Sequence, residues 1–226
     1  MNNIIIETKQ LEKIYGKSSV KTHALKGVDI KILKGSLTCI IGPSGHGKST
    51  LLQLIGGLDK PSSGKVIIDG VDIANLNSNE IADVRAKKIG FVFQFFNLMG
   101  NLTALENIQM AMMFGNMPKN EQRKRAEELL KLVGLLDKAN SKPSELSGGQ
   151  QQRISIARAL ANDPEILLMD EPTGNLDSES EKEVLEHIFK INKSGKTVII
   201  VTHSNELAEK AERLIVIKDG KLEKTG

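Results

Sequence analysis

The sequence predicts an α/β fold built on a mostly parallel sheet, with a β-rich portion at its start and a helical block set into its middle. Three observations lead there. Continuously apolar runs of strand length recur at "SLTCIIG", "IGFVF", "EILLMD" and "KTVIIVTH", and such runs mark strands covered on both faces. Helical patterns separate those runs, and strands alternating with helices imply parallel pairing through crossovers. Between residues 98 and 162 the alternation stops and no strand pattern occurs, so this stretch reads as an inserted helical subdomain.

Taken in order, residues 4–35 read as two or three strands, "IIIETKQLEKIYG" and "HALKGVDIKIL", with polar alternation on one face. "SLTCIIG" follows as a buried strand, in which Cys39 is a small apolar residue. "KSTLLQLIGGL" is a short helix stopped by Gly56 and Gly57. "GKVIIDG" is a strand turning at Asp69-Gly70, and "EIADVRAKK" is a short helix before "IGFVF". In the inserted block, "NEQRKRAEELLKLVGL" is helical, with Glu121–Arg125 and Glu127–Lys131 at i,i+4 and a stop at Gly134. After the strand "EILLMD", "SESEKEVLEHIFKINKSG" is a helix ending at Gly195. "KTVIIVTH" is a strand, "NELAEKA" a helix, and "RLIVIKDGKLEK" a hairpin turning at Asp219-Gly220. The division is then one α/β core of residues 1–97 and 163–226, interrupted by a helical subdomain at about 98–162.

Composition narrows the function classes. Of the 226 residues, 39% are hydrophobic and 26% charged, a balance that folds and stays in solution. A net charge of +3 with both signs mixed is too weak to argue for nucleic acid, and none is expected as a partner. One cysteine forms no internal disulfide, and the four scattered histidines give no metal-site spacing. No apolar run approaches the roughly 18 residues of a membrane span. "MNNIIIETKQ" has neither the charged start nor the long apolar stretch of a signal peptide. The expectation is a cytoplasmic protein that, if it acts at a membrane, does so through a partner.

The chemistry concentrates in short motifs. "GPSGHGKST", Gly42 to Thr50, follows a buried strand and opens a helix, the setting of a P-loop. Gly42, Gly45 and Gly47 let the backbone turn its N–H groups to phosphate. Lys48 neutralises the outer phosphates, Ser49 offers a hydroxyl to Mg²⁺, and the helix dipole adds positive potential. His46 is an unusual filler with no catalytic role assigned. In "EILLMDEP", Asp170 and Glu171 emerge from the carboxyl end of a buried strand, where α/β sheets bind ligands. Asp170 suits Mg²⁺ through water, and Glu171 can polarise an attacking water. Gln94 and His203 leave two further strands in the same way. Gln94 could ligate Mg²⁺ or the attacking water, and His203 could contact a γ-phosphate.

A second cradle lies about a hundred residues on. In "LSGGQQQRISIARAL", Ser147 is a natural N-cap, and Ile154, Ile156, Ala157 and Leu160 give the helix an apolar face. Two glycines follow the cap, where better helix formers would stabilise by about 0.5–1 kcal/mol each; they allow a ligand close to the first helical N–H groups.

"GPSGHGKST", "LSGGQ", "ILLMDEP", Gln94 and His203 together resemble the ATP-binding cassette ATPases, in their order and spacing. The resemblance covers nearly the whole chain. It implies a P-loop NTPase core with a mostly parallel sheet, an antiparallel β subdomain and an inserted α-helical subdomain. It implies ATP hydrolysis with Mg²⁺ held by Ser49, Gln94 and Asp170, and catalysis by Glu171, His203 and Gln94. It also implies a head-to-tail dimer of two copies. Each ATP would lie between Gly42, Pro43, Ser44, Gly45, His46, Gly47, Lys48, Ser49 and Thr50 of one copy and Ser147, Gly148, Gly149 and Gln150 of the other. Tyr15 resembles the aromatic that stacks on adenine, and Asp177 the residue linking the two sites; Asp177 also reads as an N-cap for the helix from Ser178. "FVFQFFNLMGNLTALENI" and "DEPTGNLDS" resemble the branch that powers macrolide export, lipoprotein release and a cell-division membrane complex. A separate transmembrane permease subunit is the partner so implied. The alternatives are a soluble cassette acting on DNA or ribosomes, and a nucleotide switch that regulates a membrane protein without transport.

Five of the six Phe lie between Phe91 and Phe114, and five of the seven Met between Met99 and Met117. Phe91 and Phe93 alternate within a strand and read as core. Phe95, Phe96, Leu98 and Met99 leave the strand after Gln94 and read as a groove for a short helix of the partner. Met110 to Met117 are equally consistent with that groove and with gluing the helical block to the core.

Overall fold

The computed structural model describes residues 3–16 and 21–225. The strands are β1 (Ile4–Tyr15), β2 (Thr22–Leu33), β3 (Leu37–Ile41), β4 (Ser63–Ile68), β5 (Val71–Asp72), β6 (Ile89–Val92), β7 (Ile166–Asp170), β8 (Thr197–Val201), β9 (Arg213–Lys218) and β10 (Lys221–Thr225). The helices are α1 (Lys48–Ile55), α2 (Ser78–Lys88), α3 (Ala104–Phe114), α4 (Lys119–Leu132), α5 (Gly148–Ala159), α6 (Ser178–Lys193) and α7 (Asn205–Lys210). The chain forms two compact units, one of the residues up to Ile81 together with Thr197 onward, the other of Ala82–Lys196.

In the first unit an antiparallel sheet runs in the order β2-β1-β4-β5. A bulge breaks the β1 register around Gln10, which sits at φ 46° and is tied to the Asp29 carboxylate through its backbone and side-chain nitrogens. The second layer centres on β3, which pairs parallel with β8 on one side and β9 on the other; β10 folds back on β9 as the expected hairpin. β3 and β8 are apolar and buried, as strands covered on both faces should be. α1 packs against β1, β2 and β8, and Leu51, Leu54 and Ile55 are fully buried with Ile6, Leu11 and Ile40. Each such side chain contributes about 1.5–3 kcal/mol on burial. Cys39 is fully buried, its thiol 3.4 Å from the Leu207 carbonyl, and burial pushes it up to about 12.

In the second unit β6 and β7 pair parallel, and α5 is the hub, packing on α3, α4, α6 and β6. Its apolar face is the one the periodicity marks: Ile154, Ile156 and Ala157 are fully buried, and Leu160 nearly so. α3 is an element the hydrophobic pattern leaves unassigned. It opens with a capping box, in which Thr103 accepts from the Glu106 N–H and the Glu106 carboxylate accepts from the Thr103 N–H. On α4 the ion pair Arg123–Glu127 forms at 2.9 Å, while Arg125 faces Glu128 and Asp163. Phe91 and Phe93 differ from the core expectation. β6 ends at Val92, both rings are half-buried, and they stack on each other with centroids 5.7 Å apart.

Candidate functional site

The first unit builds the P-loop between β3 and α1. Gly42 sits at φ 147°, and a Cβ there would fall 2.0 Å from the Ile217 carbonyl oxygen, so no other residue fits without moving β9. α1 starts from Gly47 with no capping side chain, the kind of helix start that phosphate sites use. A Cβ at Gly45 would meet nothing within 4 Å, leaving bare backbone on the open side of the loop. Lys48 is 5% exposed. Its ammonium donates to the carbonyls of Gly42 (2.8 Å) and Pro43 (2.9 Å), so a cation is stored inside the loop. Pro43, Ser44 and Gly45 are exposed, and Ser49 and Thr50 half-buried.

His46 has a structural task. Its Nδ1 accepts from the Asp219 N–H at 2.9 Å, and its carbonyl accepts from the Gly220 N–H at 3.2 Å. The turn of the β9–β10 hairpin is thereby buckled to the P-loop. Tyr15 stands beside the same loop, its phenol near the Thr50 side chain. The phenol donates to Asp59 at 2.8 Å, and Lys13 lies 4.8 Å from the ring centroid and 2.7 Å from Asp59. Burial, and then the Asp59 carboxylate, raise the Tyr15 phenol above its ordinary range. Burial also works to raise Asp59, but Lys13, Tyr15 and the Lys60 N–H outweigh it and hold the carboxyl below the usual range. His203 is exposed, two residues beyond β8. Ile40 pairs with Val201 in parallel register, so the P-loop and His203 leave neighbouring strands at one edge.

The second unit repeats that logic. Val92 pairs with Met169, so Gln94 and the pair Asp170 and Glu171 leave β6 and β7 at the same edge. Both acids are half-buried. Glu171 is left-handed, at φ 45°, a conformation uncommon for side-chain-bearing residues. A Cβ built on Gly174 would lie 3.2 Å from Gln94 Nε2 and 3.3 Å from Glu171 Oε2. The amide and the carboxylate thus converge on one spot. Asn175 closes the arrangement by donating to the Gln94 carbonyl at 3.1 Å.

At the start of α5, Ser147 and Gln150 form a capping box. The Ser147 hydroxyl accepts from the Gln150 N–H (3.3 Å), and the Gln150 side chain accepts from the Ser147 N–H (3.0 Å). The two glycines have different reasons. A Cβ on Gly149 would come within 2.6 Å of the Ser180 hydroxyl, so packing against α6 demands a glycine there. A Cβ on Gly148 would make only ordinary contacts, 3.5 Å to Leu176 and 3.6 Å to Phe96, and packing does not demand one. Asp177 caps α6, accepting from the Glu179 and Ser180 N–H groups and from the Ser180 hydroxyl. The bonds from Ser180, backbone first, hold its carboxyl below the ordinary range.

The loop after Gln94 is built rather than slack. Phe96 and Asn97 are left-handed, at φ 39° and 51°, and the Arg158 guanidinium donates to both of their carbonyls. Asn107 of α3, fully buried, accepts from the Met99 N–H at 2.8 Å and donates to its carbonyl at 3.2 Å. So held, the loop leaves Phe95 73% and Met99 49% exposed, with Phe96 and Leu98 half-buried. Within 110–117, Met112 is fully buried, whereas Met113 and Phe114 are 61% and 72% exposed.

Gln152, Arg158, Asn107 and Gly174 are absent from the sequence-derived set. Gln152 had a signal: a polar residue on the apolar stripe of α5, four positions before Ile156. The other three had none in local pattern: Arg158 and Gly174 meet segments distant in sequence, and Asn107 braces a loop whose course the pattern does not give.

A phosphate loop on a parallel sheet, with paired acids at the end of a second strand, defines a P-loop nucleoside triphosphatase. The ABC transporter family matches residues 25–174. The lipoprotein-releasing system ATP-binding protein LolD of Aquifex aeolicus is 50% identical over 198 residues, 88% of each chain. The macrolide export ATP-binding/permease protein MacB of Mannheimia succiniciproducens is 49% identical over 218 residues, which are 96% of this chain and 34% of that one. The dimeric post-hydrolysis structure of the ATP-binding cassette MJ0796 with ADP and Pi superposes with TM-score 0.91 at 46% identity, covering 98% of both chains. The chain belongs to the ABC transporter family and is its ATP-hydrolysing cassette, acting on ATP with Mg²⁺.

Proposed function

We propose that this cassette works as a dimer of two copies that closes on ATP, hydrolyses it, and drives a separate membrane-spanning permease of the exporter or lipoprotein-release type. The observation that carries the hydrolytic reading is the convergence of Gln94 and Glu171 on Gly174. A carboxylate and an amide aimed at one spot are the groups needed to orient a water and take its proton. Lys48 exchanges the carbonyls of Gly42 and Pro43 for the outer phosphates. Oxygen donors suit Mg²⁺, and Ser49, Gln94 and Asp170 would hold that ion, whose charge stabilises the phosphates. His203 contacts the γ-phosphate, and Tyr15 stacks on the adenine.

Ser147, Gly148, Gly149 and Gln150 serve the nucleotide of the other copy. A glycine at 148 that packing does not require supports this reading. Residues 98–162 act as a helical subdomain that bears the partner. Phe95, Met99 and the exposed side of Met113 and Phe114 support docking there, because apolar side chains held outward by a braced loop are costly to leave in water. No helix among the described residues is long and apolar enough to cross a membrane, and the cassette would sit on the inner face through its partner.

Glu171→Gln tests the reading. The amide keeps the size of the side chain and is a very poor base. The variant should bind ATP, fail to turn over, and elute as a stable dimer with ATP, while wild type without nucleotide elutes mainly as a monomer. A variant that stays monomeric at saturating ATP would overturn the dimer.

A further inference from the structure

We propose that Gln152 is a positioning residue for hydrolysis, the one amide that sets both strand ends carrying Gln94 and Glu171; this rests on the reading of Glu171 as the base. Gln152 lies on α5 and is fully buried. Its Nε2 donates to the carbonyl of Pro172 at 2.6 Å and reaches the carbonyl of Phe93 at 3.5 Å. Pro172 directly follows Glu171, and Phe93 directly precedes Gln94. The two hydrogens of a single amide are thus spent on the two turns that aim the converging groups.

The orientation follows from chemistry. Flipping the amide would set its oxygen against two carbonyl oxygens. As it stands, Oε1 is buried with no hydrogen-bond partner. A stability role alone favours an apolar residue here, since an unmatched buried acceptor is destabilising. What Gln152 secures is local geometry. Glu171 must hold φ 45°, and the residue before a proline is restricted further. The turn is braced on one side by the Gly174 N–H donating to the Glu171 carbonyl at 3.1 Å, and on the other by Gln152. Gln94 is braced in the same manner, by Gln152 on the preceding carbonyl and by Asn175 on its own.

The test uses the full chain with Gln152→Leu, which keeps the bulk without donors, and Gln152→Glu, which keeps the shape but sets a carboxylate against the two carbonyls. Fluorescent-ATP titration, turnover and thermal melting are measured together. Misplacing catalytic groups by about 1 Å costs on the order of 100-fold. Both variants should melt cooperatively, bind nucleotide within about twofold of wild type, and lose about 100-fold in kcat at unchanged KM. Wild-type kcat in a folded Gln152→Leu would overturn the proposal. So would loss of folding in both variants, which would assign the residue to stability. If only Gln152→Leu fails to fold, the kcat and KM of Gln152→Glu decide. Glu171→Gln run alongside separates the two failures: turnover there removes the base itself, whereas an inactive Glu171→Gln beside a normal Gln152→Leu removes only the positioning role.

Discussion

A side chain at Gly174 would be crowded, because its Cβ would lie 3.2 Å from Gln94 Nε2 and 3.3 Å from Glu171 Oε2. Gly174→Ala makes both tips give by a few tenths of an ångström. We expect kcat to fall by up to about 100-fold with the affinity of fluorescent ATP near wild type, since the P-loop is untouched. Lys48→Ala is the converse case. It removes the stored ammonium and should abolish nucleotide binding by the isolated subunit in the same titration. Cys39 gives a chemical check on the core. Its thiol is fully buried and pushed up to about 12, so maleimide should leave the native protein unlabelled at neutral pH and modify it only after denaturation. At this scale the sequence marks the motif residues by type and spacing, because each type suits phosphate or proton chemistry. Gly174 carries no mark of its own, and Gln152 only that of a polar residue on an apolar stripe, because their placement comes from distances between segments far apart in sequence.

Among elements, the strands were the easiest to place, since β3, β7 and β8 are short continuous apolar runs. α3 was missed although its start is written in "TALE". The capping pattern stands in front of a stretch whose apolar residues do not by themselves mark one face of a helix. Thr103→Ala should therefore cost about 1 kcal/mol, a fall of about 2–4 °C in thermal midpoint for a chain of this size. The loop from β6 to α3 supplies the second prediction. Phe95 is the most exposed of its apolar residues, whereas Phe96 is half-buried and its ring lies close to Gly148. Phe95→Asp should leave the melt and ATP binding unchanged and abolish copurification with the membrane partner. Retained copurification would move the docking site elsewhere. Arg158→Gln tests the brace: loss of two donors to the Phe96 and Asn97 carbonyls should speed proteolysis within 95–99 well before global unfolding.

For the whole molecule, the proposed closed pair of copies gives each of the two phosphate-type helix starts of one chain its own nucleotide. Ser147→Arg should keep monomer binding of ATP near wild type, because the P-loop is intact, yet block both turnover and the dimer trapped by Glu171→Gln. Equal loss of monomer binding in Ser147→Arg and Lys48→Ala would place both cradles on one nucleotide in one chain. The general architecture was legible from alternating patterns. The packing of Gly149 on Ser180 was not, and it shows that the fold requires one glycine of the pair whatever the ligand does.

The buckle between His46 and the Asp219-Gly220 turn makes the far end of the chain a spectroscopic reporter of its phosphate loop. The amide of residue 219 donates to an imidazole that rides on the P-loop. Its nitrogen–proton resonance should therefore shift on nucleotide binding, although the residue lies more than 170 positions away in sequence. A label placed on the outer face of that hairpin would read loop occupancy without touching the nucleotide.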